Sequence, residues 1–317
     1  MSYIEVNSLS KKYYIKKKKS ANKKKEVIEA LKEATFKVEK GDIVGYIGPN
    51  GAGKSTTIKL LSGILKPDNG NCVVDGIEPW KNRKKYVKKI GVLFGQRSQL
   101  LWDLPAIDTF EMLRSIYGMD KKEYTESLEY LDAKLGLKEL YDKPVRQMSL
   151  GQRMRCEFAA TFIHNPELVF LDEPTIGIDI EVKEKIHEFI KAINKERNVT
   201  VFITSHDIDD IQTVCSRIII VNQGEIYYDG TIDDICNGGY IDHKVIVELS
   251  KGSELKGCED YTVKELEDNK YSISIKNRED VGQTISSIAR INDVQSITVE
   301  NANLEDVLLK IYKSFKE

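Results

Sequence analysis

The nine residues Gly48-Pro49-Asn50-Gly51-Ala52-Gly53-Lys54-Ser55-Thr56 constrain this chain more than any other feature. They fit the pattern G-x-x-x-x-G-K-[ST], follow the strand-like run Asp42 to Ile47 and open a helix expected from about Lys54 to Leu65. Strand, tight turn and helix in that order let successive backbone N–H groups and a helix N-terminus converge on phosphate oxygens. Gly48, Gly51 and Gly53 permit positive φ and close backbone approach, Lys54 supplies a point charge, and Ser55 offers a hydroxyl to Mg²⁺.

The remaining strand candidates fit a parallel sheet covered on both faces: Cys72 to Asp75, Ile90 to Phe94, Val169 to Leu171, Val199 to Thr204 and Ile218 to Asn222. From about Leu100 to Thr161 apolar residues recur three or four apart, as in Phe110, Leu113 and Tyr117, which predicts a helical subdomain set into the α/β core. Beyond Gly238-Gly239 the pattern turns to alternating strands and two amphipathic helices, Glu279 to Ile291 and Leu304 to Phe315. The expected organisation is an α/β core over 1–237 and a small C-terminal α+β domain over 240–317, the latter without a catalytic constellation.

One insertion stands apart. Lys11 to Lys25 holds nine lysines and no acid, between a strand at residues 3–6 and another at Ala34 to Val38. It reads as a solvated, mobile loop or extended hairpin, with contact to an anionic lipid surface as the alternative.

Composition excludes several classes. With 317 residues, 41% hydrophobic and 31% charged, the chain is globular and long enough for two domains. Its apolar runs are a few residues long, against about 20 for a spanning helix, and its N-terminus has no secretory pattern. A cytoplasmic protein is expected. The 5 cysteines are odd in number and never two or three apart, so neither a disulfide framework nor a zinc knuckle is indicated. A net charge of -2 gives no reason to expect nucleic-acid binding.

A phosphate loop that works on a nucleoside triphosphate needs a metal-side carboxylate at the end of a neighbouring strand. Val169 to Pro174, Val-Phe-Leu-Asp-Glu-Pro, provides it: Asp172 to hold Mg²⁺, and Glu173 one residue on to polarise an attacking water as general base.

Together with further motifs, these make residues 3 to 235 resemble the nucleotide-binding subunits of ATP-binding-cassette transporters. The resemblance rests on Met148-Ser149-Leu150-Gly151-Gln152, similar to the family signature LSGGQ; on Gln96, similar to the glutamine loop; on Ile176 to Asp179, similar to the D-loop; and on His206, similar to the switch histidine. Tyr13 resembles the aromatic residue that stacks on adenine, with Tyr14 adjacent to it. What the resemblance implies is a phosphate-loop NTPase fold and an ATPase using ATP and Mg²⁺, with Gln96 sensing metal and water and His206 contacting the γ-phosphate. Two cassettes would face each other head to tail as a homodimer or a paired cassette. Ser149, Leu150, Gly151 and Gln152 would then complete the partner's site, and Asp179 would couple the two. The partner would be an integral-membrane permease on separate chains, so the subunit would sit peripherally on the inner face of the cell membrane. Leu101 to Pro105 and Asn303 to Leu308 resemble the drug, viologen and daunorubicin-type exporter branch. The alternatives are a soluble cassette ATPase acting on ribosomes or DNA, and a regulator that binds ATP without hydrolysing it.

Leu150 departs from the pattern, standing where the family has its first signature glycine. A left-handed conformation there would cost a leucine roughly 1–2 kcal/mol.

Overall fold

The computed structural model describes residues 2–16, 25–95, 97–238, 242–253, 255–258, 260–275, 278–300 and 303–315. The chain divides into two compact units, Met1–Asp229 and Gly230–Glu317.

The first unit runs β1 (Ile4–Lys16), β2 (Lys25–Val38), β3 (Ile43–Ile47), α1 (Lys54–Leu61), β4 (Asn69–Val74), α2 (Arg83–Tyr86), β5 (Ile90–Phe94), α3 (Ala106–Tyr117), α4 (Lys121–Leu135), α5 (Leu150–Phe162), β6 (Leu168–Asp172), α6 (Ile180–Arg197), β7 (Thr200–Thr204), α7 (Ile208–Val214), β8 (Arg217–Asn222) and β9 (Glu225–Thr231). Two sheets result. One has the order β5-β6-β7-β3-β8-β9, and within it β5, β6, β7, β3 and β8 pair in parallel. The other is the antiparallel β2-β1-β4.

The parallel strands are buried on both faces, which is why they read as continuous apolar runs in the sequence. Tyr46, Phe170, Phe202 and Phe36 meet where the two sheets pack, with Tyr46 and Phe202 ring centroids 5.1 Å apart. Crossover connections put the loops after β3, β6 and β7 at the same carboxyl edge of the sheet, where the functional residues gather.

The helical block forms between β5 and β6, from α3 to α5. Helix α4 starts on a full capping box, with Asp120 accepting from Glu123 N at 2.8 Å and Glu123 returning to Asp120 N at 3.0 Å.

Two expectations are corrected, and the lysine-rich insertion takes one of the two forms expected of it. Its residues 11–16 and 25 are strand, and β1 and β2 form the extended hairpin, pairing Lys12 with Glu29 and Tyr14 with Val27, while residues 17–24 lie outside the described residues. Glu29 supplies Lys12 with a counter-charge across the hairpin. Helix α1 stops at Leu61, four residues short of the expected Leu65, because Gly63 takes a left-handed φ of 71°. The boundary between units falls at Asp229/Gly230 rather than near residues 238–239, because α8 (Ile232–Asn237) packs on α10 (Leu304–Ser314).

The second unit continues β10 (His243–Leu249), β11 (Thr262–Glu267), β12 (Lys270–Ile275), α9 (Arg278–Ile291) and β13 (Val294–Glu300) before α10. Its antiparallel sheet has the order β11-β12-β10-β13. Val245, Val247, Leu249, Ile273, Ile275 and Ile288 form a core of its own.

Candidate nucleotide site

The loop from Gly48 to Gly53 is bound on several sides. Ala52 N donates to Pro49 O at 3.1 Å, and Gly224 N donates to Ala52 O at 3.0 Å. Gly53 caps α1 with φ 108°, and a Cβ there would lie 2.3 Å from Ala30 O. At Gly48 a Cβ would lie 2.1 Å from Val221 O. Both positions therefore exclude a side chain. Thr56 is the third residue of the helix the loop opens.

Lys54 is buried, and its Nζ donates to Gly48 O at 2.7 Å and Pro49 O at 3.3 Å. Burial lowers its pKa, and the nearby Glu173 and Asp172 carboxylates partly offset that. The ammonium is thus held inside the loop, with negative charge across from it.

Asp172 ends β6 opposite Thr204, its register partner in β7. Ser55 Oγ donates to Asp172 Oδ1 at 3.2 Å and Thr204 Oγ1 to the same oxygen at 2.7 Å. A hydroxyl and a carboxylate this close are hard oxygen donors, and they suit a magnesium ion that keeps several waters.

Glu173 is in the left-handed region at φ 53°, a strained conformation for a residue with a Cβ. Its N–H donates to Thr204 O at 3.0 Å, which fixes the turn. Gly95 crosses directly over it: Gly95 N donates to Asp172 O at 2.8 Å, and a Cβ on Gly95 would lie 2.4 Å from Glu173 O. His206 Nδ1 lies 3.5 Å from Glu173 Oε1.

These groups face one cleft of about 700 Å³, lined by Asn50, Ser55, Asp172, Glu173 and His206 together with Arg97, among others. The structure therefore brings the phosphate loop, Asp172, Glu173 and His206 together. Gln96 lies outside the described residues, although its neighbours Gly95 and Arg97 both line the cleft. Two contributors escape a sequence reading. Thr204 is an ordinary strand residue until the register sets it against Asp172, and Arg97 has no motif beyond its neighbour.

Tyr13 and Tyr14 do not line the cleft. They pair with Ile28 and Val27 on the hairpin and, as successive strand residues, point to opposite faces. The signature residues and Asp179 also lie apart from the cleft. Ser149 caps α5, accepting from Gln152 N at 3.2 Å while Gln152 Oε1 accepts from Ser149 N at 3.2 Å and from Lys143 Nζ at 2.9 Å. Leu150 is the first residue of that helix and has no positive φ, so the left-handed cost does not arise. Gly151 is the tight position: a Cβ there would lie 2.8 Å from Val182 Cγ2 and 3.3 Å from Asp179 Oδ2. Asp179 in turn caps α6 through Val182 N at 3.0 Å.

The family model described as ABC transporter matches residues 31–176. The linearmycin resistance ATP-binding protein LnrL of Bacillus subtilis (strain 168) is 34% identical over 311 residues, covering 92% of this chain and 96% of LnrL. The chain belongs to the ABC transporter ATP-binding proteins. Another member, the methionine import ATP-binding protein MetN 2 of Enterococcus faecalis (strain ATCC 700802 / V583), is 33% identical over 222 residues, covering 69% of this chain and 64% of MetN 2. Among solved cassettes, the dimeric post-hydrolysis state of the ATP-binding cassette MJ0796 bound to ADP and Pi aligns with a TM-score of 0.62 and 27% identity, over 72% of this chain and 98% of that one. Members of this family bind ATP and are generally ATPases that serve transport. No helix among the described residues of this member is long and apolar enough to cross a membrane.

Proposed function

We propose that this chain hydrolyses ATP with Mg²⁺ in the cleft described above, and that closure of an ATP-bound dimer drives a separate membrane permease, in the direction of export. The observation that carries the hydrolytic part is the convergence of Ser55, Asp172, Glu173 and His206 on one cleft beside the Lys54 loop. The backbone from Gly48 to Thr56 and the Lys54 ammonium bind the phosphates. Ser55 and Asp172 hold the metal, which neutralises phosphate charge when bound; Gln96 is assigned to the same ion. Glu173 takes the proton from the attacking water, and His206, 3.5 Å from it, orients that carboxylate and reaches the γ-phosphate. Tyr13 stacks on adenine. Ser149, Leu150, Gly151, Gln152 and Asp179 act on the nucleotide of the partner subunit, which agrees with their position outside this chain's own cleft.

The lean to export has support among the relatives. LnrL, whose name denotes resistance, matches 92% of this chain, whereas the methionine import protein matches 69%. The subunit works at the inner face of the membrane, with the Gly230–Glu317 unit as an accessory domain.

Glu173→Gln tests the chemistry. It keeps the size of the side chain but removes the base, so ATP turnover should fall by at least about 100-fold. ATP affinity should stay within about threefold, and the variant should elute as a dimer with ATP; turnover like the wild type would overturn the assignment. Purification of that variant from gently solubilised cells tests the output. A polytopic membrane protein in stoichiometric amount supports the transporter subunit, and ribosomes or nucleic acid support the soluble alternative. Loss of efflux of a toxic apolar compound on deleting the chain, with uptake unaffected, separates export from import.

A further inference from the structure

Directly behind the Glu173 and His206 turns is a polar cluster centred on Asp210, a fully buried residue of α7. Its Oδ1 accepts from His187 Nε2 at 2.9 Å and from Lys183 Nζ at 2.8 Å. Its Oδ2 accepts from Thr175 Oγ1 and from Ser205 Oγ at 3.1 Å. A carboxylate offers about four lone-pair sites, and here each has a donor. Burial pushes the Asp210 pKa up, but hydrogen bonds from His187, Lys183 and Thr175 outweigh it and hold the group at about 2, so it is an anion.

The donors come from three separate segments. Thr175 is two residues past Glu173 in the turn after β6. Ser205 directly precedes His206 in the turn after β7, and Asp207, directly after it, donates its N–H to Ser205 Oγ at 2.9 Å and pairs with Lys183 Nζ at 2.6 Å. Lys183 and His187 belong to α6, the helix that Asp179 caps. Burying an anion costs more than filling the same space with a well-packed apolar side chain, so core stability alone gives no reason for a carboxylate here. What a carboxylate with four donors does, and a leucine cannot, is fix three segments in one relative position.

We infer that Asp210 is a positioning residue for ATP hydrolysis, tying the Glu173 turn through Thr175 and the His206 turn through Ser205 to helix α6. The Glu173–His206 separation of 3.5 Å then depends on it. The inference rests on the reading of Glu173 and His206 as the hydrolytic pair.

The test uses the full chain. Asp210→Asn is isosteric, and the Thr175 and Ser205 hydroxyls can turn to accept from the amide, but Lys183 and His187 then share a single uncharged acceptor. Misplacing the reacting groups by about an ångström should lower kcat by roughly 10–100-fold, with KM and ATP affinity within about threefold. Thr175→Val removes only the tie to the Glu173 turn and should lower kcat by roughly 5–10-fold in the same manner. It decides the matter if Asp210→Asn does not fold. In His206→Ala/Asp210→Asn the losses should not multiply, because Asp210 acts through the pair. Wild-type kcat in the single variants, parallel loss of affinity, or multiplicative losses would overturn the positioning role. Glu173→Gln is assayed alongside. If it is inactive while both Asp210→Asn and Thr175→Val turn over normally, only the positioning role falls. If it turns over normally, the hydrolytic reading falls and takes this inference with it.

Discussion

Thr204 Oγ1 donates to Asp172 Oδ1 at 2.7 Å across the β6–β7 register, and the same hydroxyl lies 3.2 Å from the N–H of Glu173. One buried threonine thus orients the carboxylate facing Ser55 and supports the strained turn that presents Glu173.

Thr204→Val keeps the shape and strand preference of the side chain while deleting that hydroxyl. Asp172 is then held by Ser55 alone among the side chains described here. ATP turnover should fall about tenfold, and the Mg²⁺ concentration giving half-maximal rate should rise. A Mg²⁺ titration of ATPase activity checks both, and an unchanged metal dependence would count against the orienting role.

Lys54→Met should separate binding from stability. The ammonium is buried, and burial already lowers its pKa, so replacing it with an uncharged chain removes a desolvation cost. Thermal stability should be unchanged or slightly higher, while ATP affinity falls more than about tenfold with the loss of a charge-assisted contact. A fluorescent-nucleotide titration beside a melting curve measures both quantities.

Leu150→Gly would restore the family's usual signature residue, and it should bring no gain. Leu150 is helical, so glycine relieves no strain and costs up to about 1 kcal/mol of helix propensity at the start of α5. Urea denaturation should show the loss, and ATPase activity should not rise. A higher turnover would mean that this position requires glycine for approach to a partner's nucleotide.

His164 predicts a pH dependence. Its ring stacks on Tyr117 at 3.7 Å between centroids, and its Nε2 lies 2.9 Å from Ile90 O. Burial outweighs that hydrogen bond and lowers its pKa to about 4. Between about pH 6.5 and 4 the unfolded imidazole takes up a proton that the folded one refuses, so this group's contribution to stability falls as pH falls. His164→Phe keeps the stack and does not titrate. It should be less stable than wild type at pH 7.5 by about 1 kcal/mol, for the lost hydrogen bond. By pH 4.5 the wild type should have lost roughly 2 kcal/mol that the variant keeps, reversing the order. A stability gap that does not change with pH would refute the assignment.

Much of the site was readable in one dimension because its chemistry is local. The phosphate loop needs glycines and a lysine at fixed spacing, and Asp172 and Glu173 are adjacent residues closing an apolar strand. The buried parallel strands announce themselves as apolar runs, so Ile90–Phe94 and Leu168–Asp172 were found within a residue of their bounds. The lysine-rich insertion reads equally as a loop or an extended hairpin, and only the pairing of β1 with β2 decides for the hairpin.

What the sequence determined by itself was the kind of chemistry and the strands and helices that carry it, because residue type and short-range spacing set both. Tertiary structure decided which side chains meet. The register of β6 on β7 brings Thr204 to Asp172, the crossing of Gly95 over Glu173 closes one wall of the cleft, and Asp210 draws three of its four donors from 23 to 35 residues away. Contacts of that kind follow from how separate segments pack, and no spacing within any one of them encodes the result.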